Sequence, residues 1–244
     1  MLQGLYAASS GMEAQQTQFN AISNDLANMN TPGYQSTQVG FENLLYSGAG
    51  SASGSAVATG TGAASSIIGR SQSQGALDNT GNPLDVAIQG PGYLQVRRPD
   101  GSIGLTRNGT LQTDSQGQLT DQEGDPLVPS IKVPKGTDAT DIHIAANGDV
   151  SVGSTKLGTI SIVDVPAPNQ LQPDGNSLFS VTAGSGATRP ASGSTLQQGA
   201  LEASNVDVAT DMSNMINAER SYQMSSQAIQ YQDQMLQIAD QIKK

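Results

Sequence analysis

Large apolar residues recur at every seventh position near both ends of this sequence, and that spacing constrains the fold more than any other feature. Near the N-terminus Leu5, Met12, Phe19 and Leu26 stand in strict steps of seven, with Met1, Ala8 and Ile22 at the complementary heptad positions. Such a repeat draws one narrow stripe along an α-helix. The first thirty residues hold no proline, so they are predicted to form a helix that stops at Asn30-Thr31-Pro32-Gly33. Proline disfavours helical geometry in the residue before it, and glycine permits a left-handed turn. Near the C-terminus Val208, Met215, Tyr222, Ile229 and Leu236 repeat the spacing, with Met212, Met235 and Ile242 close to the same face. Ser204, with Asp207 three residues on, resembles a capping box and is expected to open this second helix, which runs almost to Lys244.

Neither helix has enough apolar surface to fold unaided. A seam of about five large side chains is worth on the order of 10 kcal/mol, whereas ordering thirty backbone residues costs roughly 1–2 kcal/mol each, offset in part by helical hydrogen bonds. The helices could pair with each other as an antiparallel coiled coil. Charge argues for neighbouring subunits as well, because the first 77 residues carry only Glu13, Asp25, Glu42 and Arg70. Faces lined with Ala, Ser, Gln and Asn pack against another subunit at little desolvation cost. In a dilute free subunit, residues 1–30 and 205–244 are therefore expected to be mobile and to fold on docking.

The centre reads differently. Ser47 to Ser66 is a run of Gly, Ala, Ser and Thr relieved by little more than Val57, the composition of an extended arm. From Leu84 onward short apolar runs alternate with turn signals such as Pro91-Gly92, Asp100-Gly101, Asn108-Gly109, Glu123-Gly124 and Asn147-Gly148. This spacing predicts an all-β domain. Candidate strands are Asp85–Gln89, Tyr93–Arg97, Ile103–Arg107, Ile142–Ala146, Asp149–Val152 and Leu157–Val165, in a sheet with one face covered. The predicted fold class is α+β. An N-terminal assembly helix spans 1–33, an arm or linker 34–83, a central β domain 84–199 and a C-terminal assembly helix 200–244.

Charge and composition narrow the function. With 21 acidic residues against 11 lysines and arginines, a net charge of -10, the chain is unsuited to nucleic acid or to an anionic membrane surface. Cysteine is absent, so no disulfide or thiolate metal site can form. The N-terminus lacks the basic and apolar regions of a cleaved signal peptide, and no stretch approaches the roughly 20 apolar residues of a membrane helix.

No catalytic constellation is visible either. His143, the only histidine, lies in Ile142-His143-Ile144 and is expected to face solvent, without carboxylates at a ligand spacing. Asp114 to Asp125 lacks the ligand pattern of an EF-hand and reads as turn chemistry. Asn108-Gly109-Thr110 fits a glycosylation acceptor, but Asn-Gly is also the favoured hairpin turn, and the turn is expected. No cofactor, metal or enzymatic activity is assigned. A secreted, monomeric β-domain binding module is an alternative, although only Tyr93 and Phe179 supply aromatics to the β region. A peptidoglycan-acting enzyme would need an acid and a base, and no pair stands out.

Three separated segments stand out: Leu5-Tyr6-Ala7-Ala8-Ser9-Ser10-Gly11-Met12 with Ile22-Ser23-Asn24-Asp25-Leu26-Ala27-Asn28 and Thr31-Pro32-Gly33-Tyr34; then Asp85-Val86-Ala87-Ile88-Gln89-Gly90-Pro91-Gly92-Tyr93 with Thr106-Arg107-Asn108-Gly109; and Gly199-Ala200-Leu201-Glu202-Ala203-Ser204-Asn205-Val206-Asp207 with Met215-Ile216 and Glu219-Arg220-Ser221-Tyr222. Together they resemble the flagellar rod and hook protein family. Asp25 stands where the family usually has Asn, Tyr34 where it has Phe, and Tyr93-Leu94 where it has an aromatic pair. Length favours the two intermediate rod classes over the smaller rod proteins and the longer hook protein, and Glu13-Ala14-Gln15-Gln16, Phe41-Glu42-Asn43-Leu44-Leu45-Tyr46 and Asp233-Gln234-Met235-Leu236 are more similar to distal-rod members than to proximal ones, the proximal class being the alternative.

The resemblance implies a self-assembling axial protein in a helical tube that crosses the periplasm within the flagellar basal body and carries torque from motor to hook. It implies export through the flagellar type III apparatus without signal cleavage. Implied partners are further copies of the chain, other rod proteins, the hook protein and surrounding ring proteins. Candidate self-assembly residues are Leu5, Met12, Phe19, Ile22, Leu26, Val208, Met212, Met215, Tyr222, Ile229 and Leu236.

Overall fold

The computed structural model describes residues 2–44, 46–47, 59–60 and 62–242, except the side chains of 2–3, 46–47, 59–60, 236, 239–240 and 242. These residues form two compact units. The first contains α1 (Leu2–Ala27), strands β1 (Thr37–Asn43), β2 (Tyr46–Ser47), β3 (Thr59–Gly60) and β4 (Ala63–Arg70), and α2 (Val208–Ile242). β1 pairs with β4 and β2 with β3, and Gly69 and Arg70 at the end of β4 belong to the second unit.

Part of the expected arm is therefore paired strand. Thr37, Val39 and Phe41 alternate along β1, and β-branched Ile67 and Ile68 stand in β4, the residue types that favour extended backbone. Residues 48–58, the heart of the Gly, Ala, Ser and Thr run, lie outside the described residues.

The cap of α2 sits three residues later than the sequence pattern places it. Asp207 accepts hydrogen bonds from the backbone N–H groups of Ala209 and Thr210, at 3.1 and 3.4 Å, and from the Thr210 hydroxyl at 2.8 Å. A carboxylate there satisfies the orphan donors of the first turn. Ser204 instead accepts from Val206 N–H, at 3.4 Å, before the helix begins.

The second unit carries β5 (Leu77–Asn79), β6 (Val86–Gln89), β7 (Tyr93–Arg97), β8 (Ile103–Thr106), β9 (Gln112–Thr113), β10 (Leu119–Thr120), β11 (Ile142–Ile144), β12 (Asp149–Val152), β13 (Thr155–Thr159), β14 (Ile162–Asp164), β15 (Gln172–Gly175), β16 (Leu178–Ser180), β17 (Arg189–Pro190), β18 (Thr195–Gln198) and β19 (Ala200–Glu202). Six of them make a sheet in the order β15-β16-β8-β7-β14-β17. β11, β12 and β13 form a second sheet, and β5–β19, β6–β18 and β9–β10 are pairs.

Both faces of the six-stranded sheet are covered at its centre, where one covered face was expected. Leu94, Val96 and Leu178 join Val86, Ile88, Ile142 and Val150 in a large apolar cluster. Tyr93, Leu105, Val163, Val165 and Phe179 form a smaller one. Consecutive residues of a strand point to opposite faces, so Tyr93 and Leu94 can each be buried in a different cluster.

The expected strand Leu157–Val165 is two strands. β13 pairs with β12 and β14 with β7. At the break, buried Ile160 donates its N–H to Gly148 O at 2.8 Å, so one apolar run serves two sheets. Asn108-Gly109 is likewise no hairpin turn. Asn108 Oδ1 accepts from Thr110 N–H at 3.1 Å, and Gly109 accepts from Val86 N–H at 3.0 Å. A Cβ at Gly109 would overlap Val86 O, so the glycine is needed for close backbone approach and not for a positive φ.

The acidic segment does carry turn chemistry. Asp114 Oδ1 accepts from the N–H groups of Gln116 and Gln118, and Asp121 Oδ1 from those of Glu123 and Asp125. The same geometry thus recurs seven residues apart, each time with a glycine at positive φ, Gly117 and Gly124.

Candidate functional site

The second unit contains a buried polar clasp, built by the segments that carry the sequence motifs. Arg107, at the exit of β8, donates from Nε to Glu202 Oε2 at 2.9 Å, and both side chains are only 3% exposed. Nη2 of Arg107 donates to Gly90 O at 3.0 Å, while Glu202 Oε1 accepts from Gly75 N–H at 3.1 Å. An ion pair survives burial only when such additional bonds offset the lost hydration.

The main chain of Glu202 is engaged as well, since its carbonyl accepts from Gly33 N–H at 2.7 Å. Gly33 has a φ of 68°, and a Cβ there would lie 2.6 Å from both Arg107 C and Asn108 N, so only glycine fits. Three residues beyond Glu202, Asn205 extends the clasp. Its Nδ2 donates to Ser71 O and Ser73 O, at 3.1 and 2.8 Å, its Oδ1 accepts from Ser36 N–H at 2.7 Å, and its own N–H reaches Tyr34 O at 3.2 Å.

Cations and rings complete the cluster. The Arg70 guanidinium donates to Gln35 O at 2.8 Å and lies 5.2 Å from the Tyr34 ring centre and 5.7 Å from that of Phe179. Arg107 lies 6.0 Å from the Tyr93 ring, which meets Phe179 edge-on with centres 5.9 Å apart. Tyr93 OH donates to Gln72 Oε1 at 3.1 Å. Burial raises the Tyr93 phenol above its ordinary pKa, against the opposing pull of Arg107, Gln35 and Gln72. The clasp presents no accessible nucleophile or base, and what it does is tie distant chain segments together.

In the first unit, α1 and α2 lie side by side and antiparallel. A Cβ on Gly4 would overlap the Gln232 side chain, and one on Gly11, seven residues on, would sit 3.8 Å from Ser225 Oγ, seven residues back. Farther along, Gln15, Gln16 and Phe19 face Ala218, Glu219 and Tyr222 around a cavity of about 150 Å³. Asp25 then comes close enough to Asp211 to raise its pKa, second only to burial and ahead of Asp207. Small residues let the helices approach closely here, and Ala14, Ala21 and Ala218 are buried.

The residues singled out from the heptads divide into three groups. Ile22 is buried, while Leu5, Met12, Phe19, Leu26, Val208, Met215 and Ile229 are half-buried. Met212 and Tyr222 are exposed, and the side chain of Leu236 lies outside those described. The structure also reveals an exposed row of which the heptad reading names only Met212 and Met235. Met212, Ile216, Met224, Tyr231, Met235 and Ile238 are each between 50% and 63% exposed. At about 100° of rotation per residue Ile216, Met224, Tyr231, Met235 and Ile238 fall on the side of α2 roughly opposite Ala218, Ser225 and Ile229, and Met212 lies at the edge of that face, beside Val208. Its signal was present in the sequence, because Met224, Tyr231 and Ile238 are themselves seven apart. α1 shows one comparable residue among those described, Tyr6 at 68%.

His143 is exposed on β11, opposite Ser151. Among the described residues no three His, Asp or Glu side chains gather as a metal site, and no helix is long and apolar enough to cross a membrane.

Terminal helices with an uncovered apolar row, joined in sequence to a unit closed by a buried clasp, define a structural protein of the kind that assembles. Comparison with known proteins gives the particular case. Residues 5–35 match the flagella basal body rod protein family, 87–152 the D1 domain of flagellar hook proteins FlgE/F/G, and 197–242 the C-terminal region of the flagellar basal body rod FlgEFG proteins. The flagellar basal-body rod protein FlgG of Caulobacter vibrioides is 38% identical over 264 residues, covering 99% of this chain and all of the relative. Those of Buchnera aphidicola subsp. Acyrthosiphon pisum and Borreliella burgdorferi are each 37% identical, over 99% and 100% of this chain and all of each relative. The chain belongs to the flagellar basal-body rod protein family, and its role is structural, in the distal rod.

Proposed function

We propose that α1 and α2 form a coiled-coil-like assembly domain through which copies of this chain stack into the distal rod, which passes torque from motor to hook. The observation that carries this reading is the exposed row Met212, Ile216, Met224, Tyr231, Met235 and Ile238 along α2. A contiguous apolar face left in water marks an interaction surface. Leu5, Met12, Phe19, Ile22, Leu26, Val208, Met215, Tyr222 and Ile229 hold the two helices together, and Met212 joins the outward row in meeting neighbouring subunits; Leu236 continues the heptad. Because α1 offers few outward apolar groups of its own, α2 supplies most of the intersubunit contact.

The remaining elements of the reading come from the family. The chain reaches the periplasm through the flagellar type III export apparatus without signal cleavage. There it contacts other rod proteins, the hook protein and the surrounding rings. The two helices of one chain pair with each other already in the dilute free subunit, in place of the mobile ends expected above, and docking then covers the outward row of α2.

Met224→Asp combined with Tyr231→Asp tests the outward face. Basal bodies isolated from cells carrying this variant should lack the distal rod and the cells should be non-motile, while circular dichroism of the purified full chain stays unchanged. Normal rods and motility would refute the assembly face.

A further inference from the structure

The sequence holds seven methionines, and all of them lie at its two ends: Met1, Met12, Met29, Met212, Met215, Met224 and Met235. The long span from 30 to 211 contains none, although its core is rich in Leu, Ile and Val. On α2 the distribution is finer still. Met212, Met224 and Met235 are 51%, 63% and 55% exposed and belong to the outward row, whereas Met12 and Met215 are half-buried. With cysteine and tryptophan absent, thioethers are the most readily oxidised side chains available.

We infer that Met212, Met224 and Met235 are a peroxide-sensitive modification site at which oxidation of the free subunit blocks its addition to the rod. The inference rests on the assembly face proposed above and adds a chemistry to it. The thioether sulfur attacks one oxygen of hydrogen peroxide, the O–O bond breaks as the S–O bond forms, and the departing hydroxide takes up a proton. Methionine is oxidised by two electrons to its sulfoxide, and the peroxide is reduced to water. The product is a polar, strongly hydrogen-bonding group in place of a flexible apolar one. On a helix face that must dry when the next subunit docks, each sulfoxide leaves a polar oxygen without a partner.

Exposure sets the order of reaction. The three outward sulfurs meet the oxidant before assembly and are covered after it, so a finished rod resists a dose that disables free subunits. Met12 and Met215 serve as internal controls in the same chain. Sulfoxide reductases reverse the modification, which makes the block a reversible one.

Two measurements test the inference. Purified full-length chain is exposed to hydrogen peroxide and its sulfoxides are mapped by peptide mass spectrometry; Met212, Met224 and Met235 should convert several-fold faster than Met12 and Met215. In cells, the triple variant Met212→Gln, Met224→Gln, Met235→Gln, which mimics the sulfoxide, should incorporate into isolated basal bodies about tenfold less than wild type or worse. The triple Leu variant should incorporate normally. Equal oxidation rates at all five sites, or a Gln variant that assembles as well as the Leu variant, would overturn the inference. A third variant, with Asp at the same three positions, separates the two readings. If Asp blocks assembly and Gln does not, the face stands and the oxidation switch fails; if neither blocks it, the assembly face itself is wrong.

Discussion

The two units handle apolar surface in opposite ways. In the β unit most of the large side chains from Val86 to Leu196 are packed into two clusters, Ile103 and Val181 being exposed, and even an ion pair, Arg107 with Glu202, is sealed from water. In the helical unit α2 buries little more than one side and leaves six large apolar side chains at least half exposed on the other. The β unit is a finished fold, whereas the helix pair is finished on one face only. Evolution tolerates an exposed apolar face where it is used, so the contrast separates a part that must be stable from a part that must be sticky.

The largest effect expected from breaking this contrast is in the clasp. Glu202→Ala should destabilise the β unit by about 3–5 kcal/mol, because Arg107 is left buried and uncompensated. Hydrogen exchange of the full chain reads this directly, as faster exchange across β5, β7, β8 and β19. A loss under about 1 kcal/mol would mean that the surrounding packing, and not the clasp, closes the unit.

Next comes the seam. Leu5→Asp or Ile229→Asp places a charge between the helices and should cost several kcal/mol of pairing while leaving the β unit folded. Helicity by circular dichroism should fall and assembly should stop. If motility and rod formation persist in both variants, those residues are not seam residues.

Smaller effects of opposite sign are expected at the start of α2. Asp211 has a pKa raised by burial first, then by Asp25 and Asp207. A carboxylate that binds its proton more tightly folded than unfolded favours the fold most below its ordinary pKa. That increment is lost as pH rises through the raised value. Asp207 is the reverse: hydrogen bonds from Thr210 hold its pKa down, so its contribution is present above the ordinary carboxylate pKa and is lost on acidification. Asp211→Asn should therefore raise the thermal midpoint of the helix pair at neutral pH, and Asp207→Ala should lower it by a few degrees. Identical shifts in the two variants would contradict this assignment.

The smallest effect belongs to His143→Ala, expected within about 0.5 kcal/mol and without consequence for motility, since the side chain points from β11 into solvent. A large loss of motility at unchanged stability would reveal a contact on the β unit's surface.

Much of this was legible before the structure, for reasons that differ by region. Heptad spacing is a local signal, and it placed both helices and the half-buried seam residues such as Leu5 and Ile229. It set Met212 and Met235 beside the seam although both are more than half exposed, and it left out Ala218, Ser225 and Gln232, which meet α1 closely, because those positions are small or polar. Strands Tyr93–Arg97 and Asp149–Val152 were legible from turns and alternation. The split at Ile160 was not, since nothing within Leu157–Val165 marks where a strand changes partners.

The clasp escaped altogether, although its residues were in view as motifs. Arg107 and Glu202 are 95 positions apart, and no pattern in a single sequence says which buried cation meets which buried anion. Arg70, Gln35 and Asn205 were hidden for the same reason.

Glu202 and Asn205 have one further consequence, and it is mechanical. Residues 33–36, at the end of the first of the two stretches that make up the β unit, are bonded directly to residues 202–205, at the end of the second, through Gly33 to Glu202, Asn205 to Tyr34 and Ser36 to Asn205. Tension applied at these two points meets a short path across these few bonds, beside the longer one through the strands. Turns of this unit whose glycines stand in open space, such as Gly124, Gly136 and Gly153, can therefore change length or sequence without moving the points at which force enters and leaves.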